Sequence, residues 1–155
     1  MSKRFYINPF LLTIVNFGCL VALGFVVRVP QATLVRFSER VIGSMLSVAA
    51  IAIMIIAHRV QKQAHRKAED ITRLAATGIY SRCRHPIYLA FIVMNIATVF
   101  VFANLWLMIV ALPFVLLWHF EARQEEKFLL DKFEHRYKIY MRKVPMWNVF
   151  QPSRS

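Results

Sequence analysis

Four apolar runs, over residues 9–27, 41–57, 86–103 and 105–120, decide what this chain can become. Each approaches the ~20 residues that an α-helix needs to cross the hydrocarbon core of a bilayer. Backbone placed in lipid must satisfy its own N–H and C=O groups, so runs of this kind cross as helices. The second and fourth are short, which tilt or local thinning of the bilayer accommodates. The expected fold is all-α: a polytopic integral membrane protein with about four transmembrane helices. No Pro-, Gly- or Ser-rich linker, repeat or low-complexity tract divides the 155 residues. They read as one membrane domain over 1–155, with N-terminal spans and a connector in 1–73 and the site-bearing hairpin and tail in 74–145.

Charge then orients the spans. The chain carries 20 Lys+Arg against 8 Asp+Glu, yet 58% of it is hydrophobic, too apolar for an ordinary soluble domain. Nucleic acid is not an expected partner, because no recognisable binding module accompanies the charge; the basic face suits an anionic bilayer surface. Basic residues concentrate between His58 and His85 and again after Phe120, whereas the tip at Ala103–Asn104 is uncharged. The positive-inside bias places both basic regions and both termini in the cytoplasm, as in a bacterial inner membrane. Arg28, Arg36 and Arg40 would face outward and oppose the bias without reversing it. The N-terminal apolar run is too long for a signal peptide and reads as a retained span, and the C-terminus has no prenylation box. Residues 121–143 space Phe128, Leu129, Phe133, Tyr137 and Tyr140 as an amphipathic cytoplasmic helix does. Residues 59–73 read as a helical extension of the second span.

Chemistry concentrates at the hairpin mouth. Pro86 suits the first turn of the third span, which needs no N–H there, and puts His85 near the N-cap. A helix N-terminus offers N–H groups and partial positive charge to an anion. Arg84 adds a bidentate cation, and Tyr80 and Tyr88 add rings. Counting from Asn104, His85 lies 19 residues before the tip and Arg123 lies 19 after it. At ~1.5 Å per residue, Glu121, Arg123, Glu125 and Glu126 return to the depth of Arg84 and His85. Adjacent glutamates point ~100° apart on a helix, so one of Glu125 and Glu126 faces the pocket. Polar groups at this depth mark a functional site. An anion receptor, aromatic rings and a carboxylate suit a zwitterion such as S-adenosylmethionine, and a phosphorylated lipid headgroup fits nearly as well.

Other residues carry less. Cys19 and Cys83 make no disulfide framework; the flanking Arg82 and Arg84 would lower the Cys83 thiol pKa if it were reactive, and the alternative is an incidental thiol. His58 and His65 lack a third ligand, so no metal is expected. Trp106, Trp118 and Trp147 read as interface anchors, and Tyr137 and Tyr140 as anchors or pocket residues.

The ordered set Gly78-x-Tyr80-x3-Arg84-His85-Pro86-x-Tyr88, Glu125-Glu126 and Tyr137-x2-Tyr140-x3-Val144-Pro145 resembles the isoprenylcysteine carboxyl methyltransferase family, which is related to phospholipid N-methyltransferases. The resemblance covers roughly residues 74–145 and departs from it twice. Many relatives have Gly shortly after the Phe that precedes the tyrosine pair, where this chain has Glu134, and many have Arg after Val-Pro, where it has Met146.

The resemblance implies an S-adenosylmethionine-dependent methyltransferase of the membrane. Tyr80, His85, Pro86, Tyr88, Glu125 and Glu126 would bind the cofactor. Arg84, His85, Arg123 and Glu125 would serve catalysis. The acceptor would be lipidic or amphiphilic, and a carboxylate, an amine or a thiol; amines and thiols need a base, for which His85 or a glutamate is the candidate. A non-catalytic scaffold or accessory protein of the same fold, or a related membrane reductase using nicotinamide, are the alternatives. Neither the acceptor nor the oligomeric state is legible.

Overall fold

The computed structural model describes residues 8–27, 33–61 and 74–148, and every regular element among them is helical. The order is α1 (Pro9–Val26), α2 (Thr33–Val60), a 3₁₀ turn (Gly78–Ser81), α3 (Pro86–Val101) and α4 (Leu107–Lys143). α1, α2 and α4 are long and apolar enough to cross a membrane, whereas α3 is a shorter apolar helix. The chain is an integral membrane protein. Past Gln61, the helical extension expected through residue 73 lies outside the described residues.

Local chemistry sets the helix ends. Asn8 caps α1 by accepting from Phe10 N at 3.0 Å, and Pro9 occupies the first turn. α3 ends in a Schellman motif: Ala103 N donates to Phe100 O (2.9 Å) and Asn104 N to Val99 O (3.1 Å), with Ala103 at φ 48. That motif stops α3 at 16 residues, or ~24 Å, short of a ~30 Å core. Asn104 then restarts the chain, its Oδ1 accepting from Trp106 N at 3.1 Å.

The sequence separated a fourth span from a cytoplasmic amphipathic helix, but the structure joins them in α4, 37 residues long. Hydropathy changes at Glu121, but no Gly or Pro stands between Pro113 and Pro145 to break the backbone. At ~55 Å, α4 exceeds the bilayer core, so its polar half projects beyond it. It bends at Glu134, whose φ of 42 and ψ of −113 are not helical.

α2 packs on α3 and α3 on α4, while α1 packs on α4 and α3. Gly43 on α2 meets α3 backbone to backbone: a Cβ there would lie 2.5 Å from Val101 N and 2.8 Å from Ala97 O. Ala50 and Ala57 on α2, and Ala90 and Ala97 on α3, continue this seam of fully buried small residues at seven-residue spacing. α1 is held differently. Asn16 and Asn95 exchange amide hydrogen bonds (2.9 and 3.0 Å), and Trp118 Nε1 donates to Asn16 Oδ1 at 3.1 Å. All of these side chains are fully buried, so they staple α1 to α3 and α4 inside the apolar layer. Trp118 is thus no interface anchor. The start of α1, the end of α2, the start of α3 and the polar half of α4 gather at one end of the bundle, where their residues share one cavity.

Candidate functional site at the hairpin mouth

Gly78 takes φ 59, a left-handed conformation open to glycine, and this turns the chain into the 3₁₀ turn that presents Tyr80. Tyr80 OH donates to Gln61 Oε1 at 2.6 Å, tying the loop to the end of α2. Tyr140 OH donates to Tyr80 O at 2.6 Å. The segment after α4 closes the same loop from below. Arg84 N donates to Pro145 O at 3.0 Å, and the Cys83 thiol donates to Met146 O at 3.1 Å. Trp147 packs its ring 6.0 Å from His85 and 5.7 Å from His119, so it stands against the histidines rather than acting as a membrane anchor.

The glutamate pair divides its work. Glu126 is buried, with Oε1 at 3.2 Å from His85 Nε2 and 2.9 Å from Arg84 Nε. The latter is a charge contact without hydrogen-bond alignment, because Arg84 Nε has no hydrogen-bond partner. Burial works to raise the Glu126 carboxyl pKa; the His85 hydrogen bond and the Arg84, His85 and Arg123 charges outweigh it and hold the pKa below the ordinary carboxylate value. Glu125 stands 3.8 Å from the other ring nitrogen, His85 Nδ1, and is a quarter exposed. The imidazole is therefore braced by one carboxylate and faces the second. This agrees with only one of the pair being turned to the pocket.

Two cavities meet here. A chamber of about 40 Å³ is lined by Gln61, Leu74, Ala75, Tyr80, Arg84, His85, Glu125, Leu129, Tyr137 and Tyr140. A larger, mostly apolar cavity of about 1180 Å³ runs between α1, α2 and α3, past Tyr88, Phe17 and Phe91, to Met94 and Thr98. Gln61, Tyr80, Arg84, His85 and Glu125 line both. Burial, with Glu125 adding for Tyr80 and both glutamates for Tyr137 and Tyr140, pushes the pKa of all three phenols up. These tyrosines are protonated hydrogen-bonding groups, not bases.

The remaining sequence candidates scatter around this centre. Arg84 spends Nη1 on Met141 O (2.9 Å) and Val144 O (3.1 Å), clamping the end of α4. Pro86 is fully buried in the first turn of α3 and lines neither cavity. Tyr88 lines only the larger one. Arg123 is 61% exposed, 3.9 Å from Glu126 Oε2, and reaches neither cavity. Gln61, Leu74 and Ala75 were not singled out from the sequence and no motif marks them, whereas Leu129 was named only as part of the apolar face of residues 121–143. Trp147 was visible only as an aromatic near a span end.

The model of the isoprenylcysteine carboxyl methyltransferase (ICMT) family matches residues 41–131, from α2 through the loop and α3 into the polar half of α4. No curated protein and no solved structure matches the chain.

Proposed function

The chain belongs to the isoprenylcysteine carboxyl methyltransferase family, a family of membrane methyltransferases, and from that premise we propose that it methylates a lipidic or amphiphilic acceptor with S-adenosylmethionine at the cytoplasmic face. The observation that carries this reading is the junction of a polar chamber and a long apolar cavity at His85 and Glu125. One side suits a zwitterionic cofactor and the other an alkyl chain, and the shared residues are where their reacting ends would meet.

The donor set fits the cofactor. The α3 N-terminus favours its carboxylate, Glu125 its ammonium, and the Tyr80, Tyr137 and Tyr140 rings its cationic and aromatic parts. The chamber at about 40 Å³ is far below the ~300–1,000 Å³ of small-molecule pockets, so it widens or borrows from the larger cavity when filled. S-adenosylmethionine, when bound, supplies an electrophilic methyl group on a sulfonium.

The chain's own residues align, exclude water and manage a proton. A carboxylate acceptor requires no base. An amine or thiol acceptor gives its proton to His85 Nδ1, and Glu126, hydrogen-bonded at Nε2, stabilises the imidazolium so formed. Arg84 acts as a positioning residue, because its contacts set Glu126 and the end of α4. Arg123 is a rim charge that attracts an anionic acceptor rather than a group in contact with it.

The test is transfer of radiolabelled methyl from S-adenosylmethionine into lipid extract by the purified protein. Label in the organic phase is the expected result, lowered about tenfold by Glu125→Gln at subsaturating cofactor and, for an amine or thiol acceptor, at least ~100-fold by His85→Ala. Transfer to water-soluble acceptors alone contradicts the lipidic assignment. Absence of any transfer, in protein that binds the cofactor, leaves the scaffold reading.

A further inference from the structure

The charges around the larger cavity select among the possible acceptors. Among the described residues that line it, only Arg84, His85 and Glu125 are charged or titrate near neutral pH. Arg84 is the one full cation, and it is already engaged. Its Nε lies 2.9 Å from Glu126 Oε1, its Nη1 donates to Met141 O and Val144 O, and its side chain is 10% exposed. Arg123 lies outside both cavities. Glu125 is therefore the charge left facing the acceptor, a quarter exposed and 3.8 Å from His85 Nδ1. Glu121, one turn earlier on α4, lines neither cavity; it is buried, with no hydrogen bond or ion pair to any described residue. The helix behind Glu125 thus adds an acid rather than a cation.

His85 is set up to take a proton. Glu126, held ionised beside Arg84, can only accept, so its contact with His85 Nε2 at 3.2 Å places the proton on Nε2 and the lone pair on Nδ1. Glu125 stands beyond hydrogen-bond distance of Nδ1, so that lone pair stays open to a ligand. A carboxylate acceptor has no proton to give, and it would meet Glu125 with no free cation to offset the repulsion. A thiol has a proton, but negative neighbours oppose formation of the thiolate. An amine suits both features. Its ammonium is drawn by Glu125 and by the ring of Tyr88, whose centroid is 5.8 Å from that of His85, and its proton has Nδ1 to go to.

Given methyl transfer at this site, on which the reading rests, we infer that the acceptor is a lipid bearing an amine, so that this chain methylates nitrogen rather than a carboxylate. The acceptor ammonium gives one proton to His85 Nδ1. The freed nitrogen lone pair forms the bond to the methyl carbon as the methyl–sulfur bond breaks, with that bond's electrons kept by sulfur. The imidazolium then releases its proton to water. The anion that Arg123 draws to the rim is another part of the same lipid, such as a phosphate.

Competition among matched probes tests the assignment. Purified full-length protein is given labelled S-adenosylmethionine with hexadecylamine, hexadecanoic acid or hexadecanethiol, and the products are identified by mass spectrometry. The amine is expected to be methylated with a kcat/KM at least ~10-fold above those of the acid and the thiol. Glu125→Gln narrows that preference; comparing ratios cancels any change in cofactor affinity. Methylation of the acid or the thiol as fast as the amine overturns the inference and leaves methyl transfer at this site standing. An unchanged ratio in Glu125→Gln removes its electrostatic basis and overturns it as well. No transfer to any of the probes, in protein that binds S-adenosylmethionine, contradicts methyl transfer itself, and the amine assignment falls with it.

Discussion

Glu126 shows most directly how individual side chains hold this site. Its carboxylate is 4% exposed and faces Arg84, itself 10% exposed, and His85. Removing one member of such a buried set strands the others, at a cost of about 3 kcal/mol, so Glu126→Gln lowers the melting temperature in detergent. The sign of the pH dependence follows from the lowered pKa. A carboxyl held below its ordinary value contributes stability that is fully present above that value and is lost as pH falls through the folded pKa. The Glu126 contribution to melting temperature is therefore level from about pH 7 to 5 and is lost below about 4.5, so Glu126→Gln flattens part of the acid-side drop of wild type; parallel profiles contradict this. Cys83 illustrates the opposite lesson. Its arginine neighbours suggested a lowered pKa, but the thiol is fully buried, and burial pushes it up to about 11 against the pull of a backbone hydrogen bond and Arg84. A maleimide at neutral pH labels Cys83 only after denaturation; rapid labelling of the folded protein refutes that placement. Flanking charge is visible in a sequence, whereas burial depends on Met146, 63 residues away.

Helix α4 carries the clearest departure at the level of elements. Its length was misread because polarity and backbone continuity are separate signals, and only the first changes at Glu121. Its bend was half legible: the resemblance flagged Glu134 where many relatives carry Gly nearby, and the structure gives that residue φ 42 and ψ −113, a region that a side chain strongly disfavours. The bend turns Tyr137 and Tyr140 onto the chamber, where both are buried. Glu134→Gly relieves the strain and raises stability by about 1 kcal/mol, measurable as a higher melting temperature. A lower melting temperature, as expected of glycine in regular helix, contradicts the bend. By contrast, the start of α3 was fully legible, because Pro86 in the first turn is a local rule.

The whole molecule places two cavities end to end at His85. The α3–α4 hairpin could be counted out from Asn104, and it returns Glu125 and Glu126 to the depth of His85 as the spacing requires. The position of α1 could not be counted, because it rests on Asn16, Asn95 and Trp118, with Asn16 and Asn95 79 residues apart. Buried amides in apolar runs are a signal of such staples, yet nothing local says which amide meets which. The apolar cavity between α1, α2 and α3 was illegible for the same reason, since it exists only once α1 is docked. The proposed methyl transfer requires the polar chamber beside this cavity to take S-adenosylmethionine. Isothermal titration of the cofactor into detergent-purified wild type, Glu125→Gln and Tyr140→Phe tests it most directly. One saturable site is expected in wild type, weakened about tenfold by Glu125→Gln through loss of a charged hydrogen bond and little changed by Tyr140→Phe. No binding heat in a sample that melts cooperatively, or equal affinity in wild type and Glu125→Gln, contradicts it.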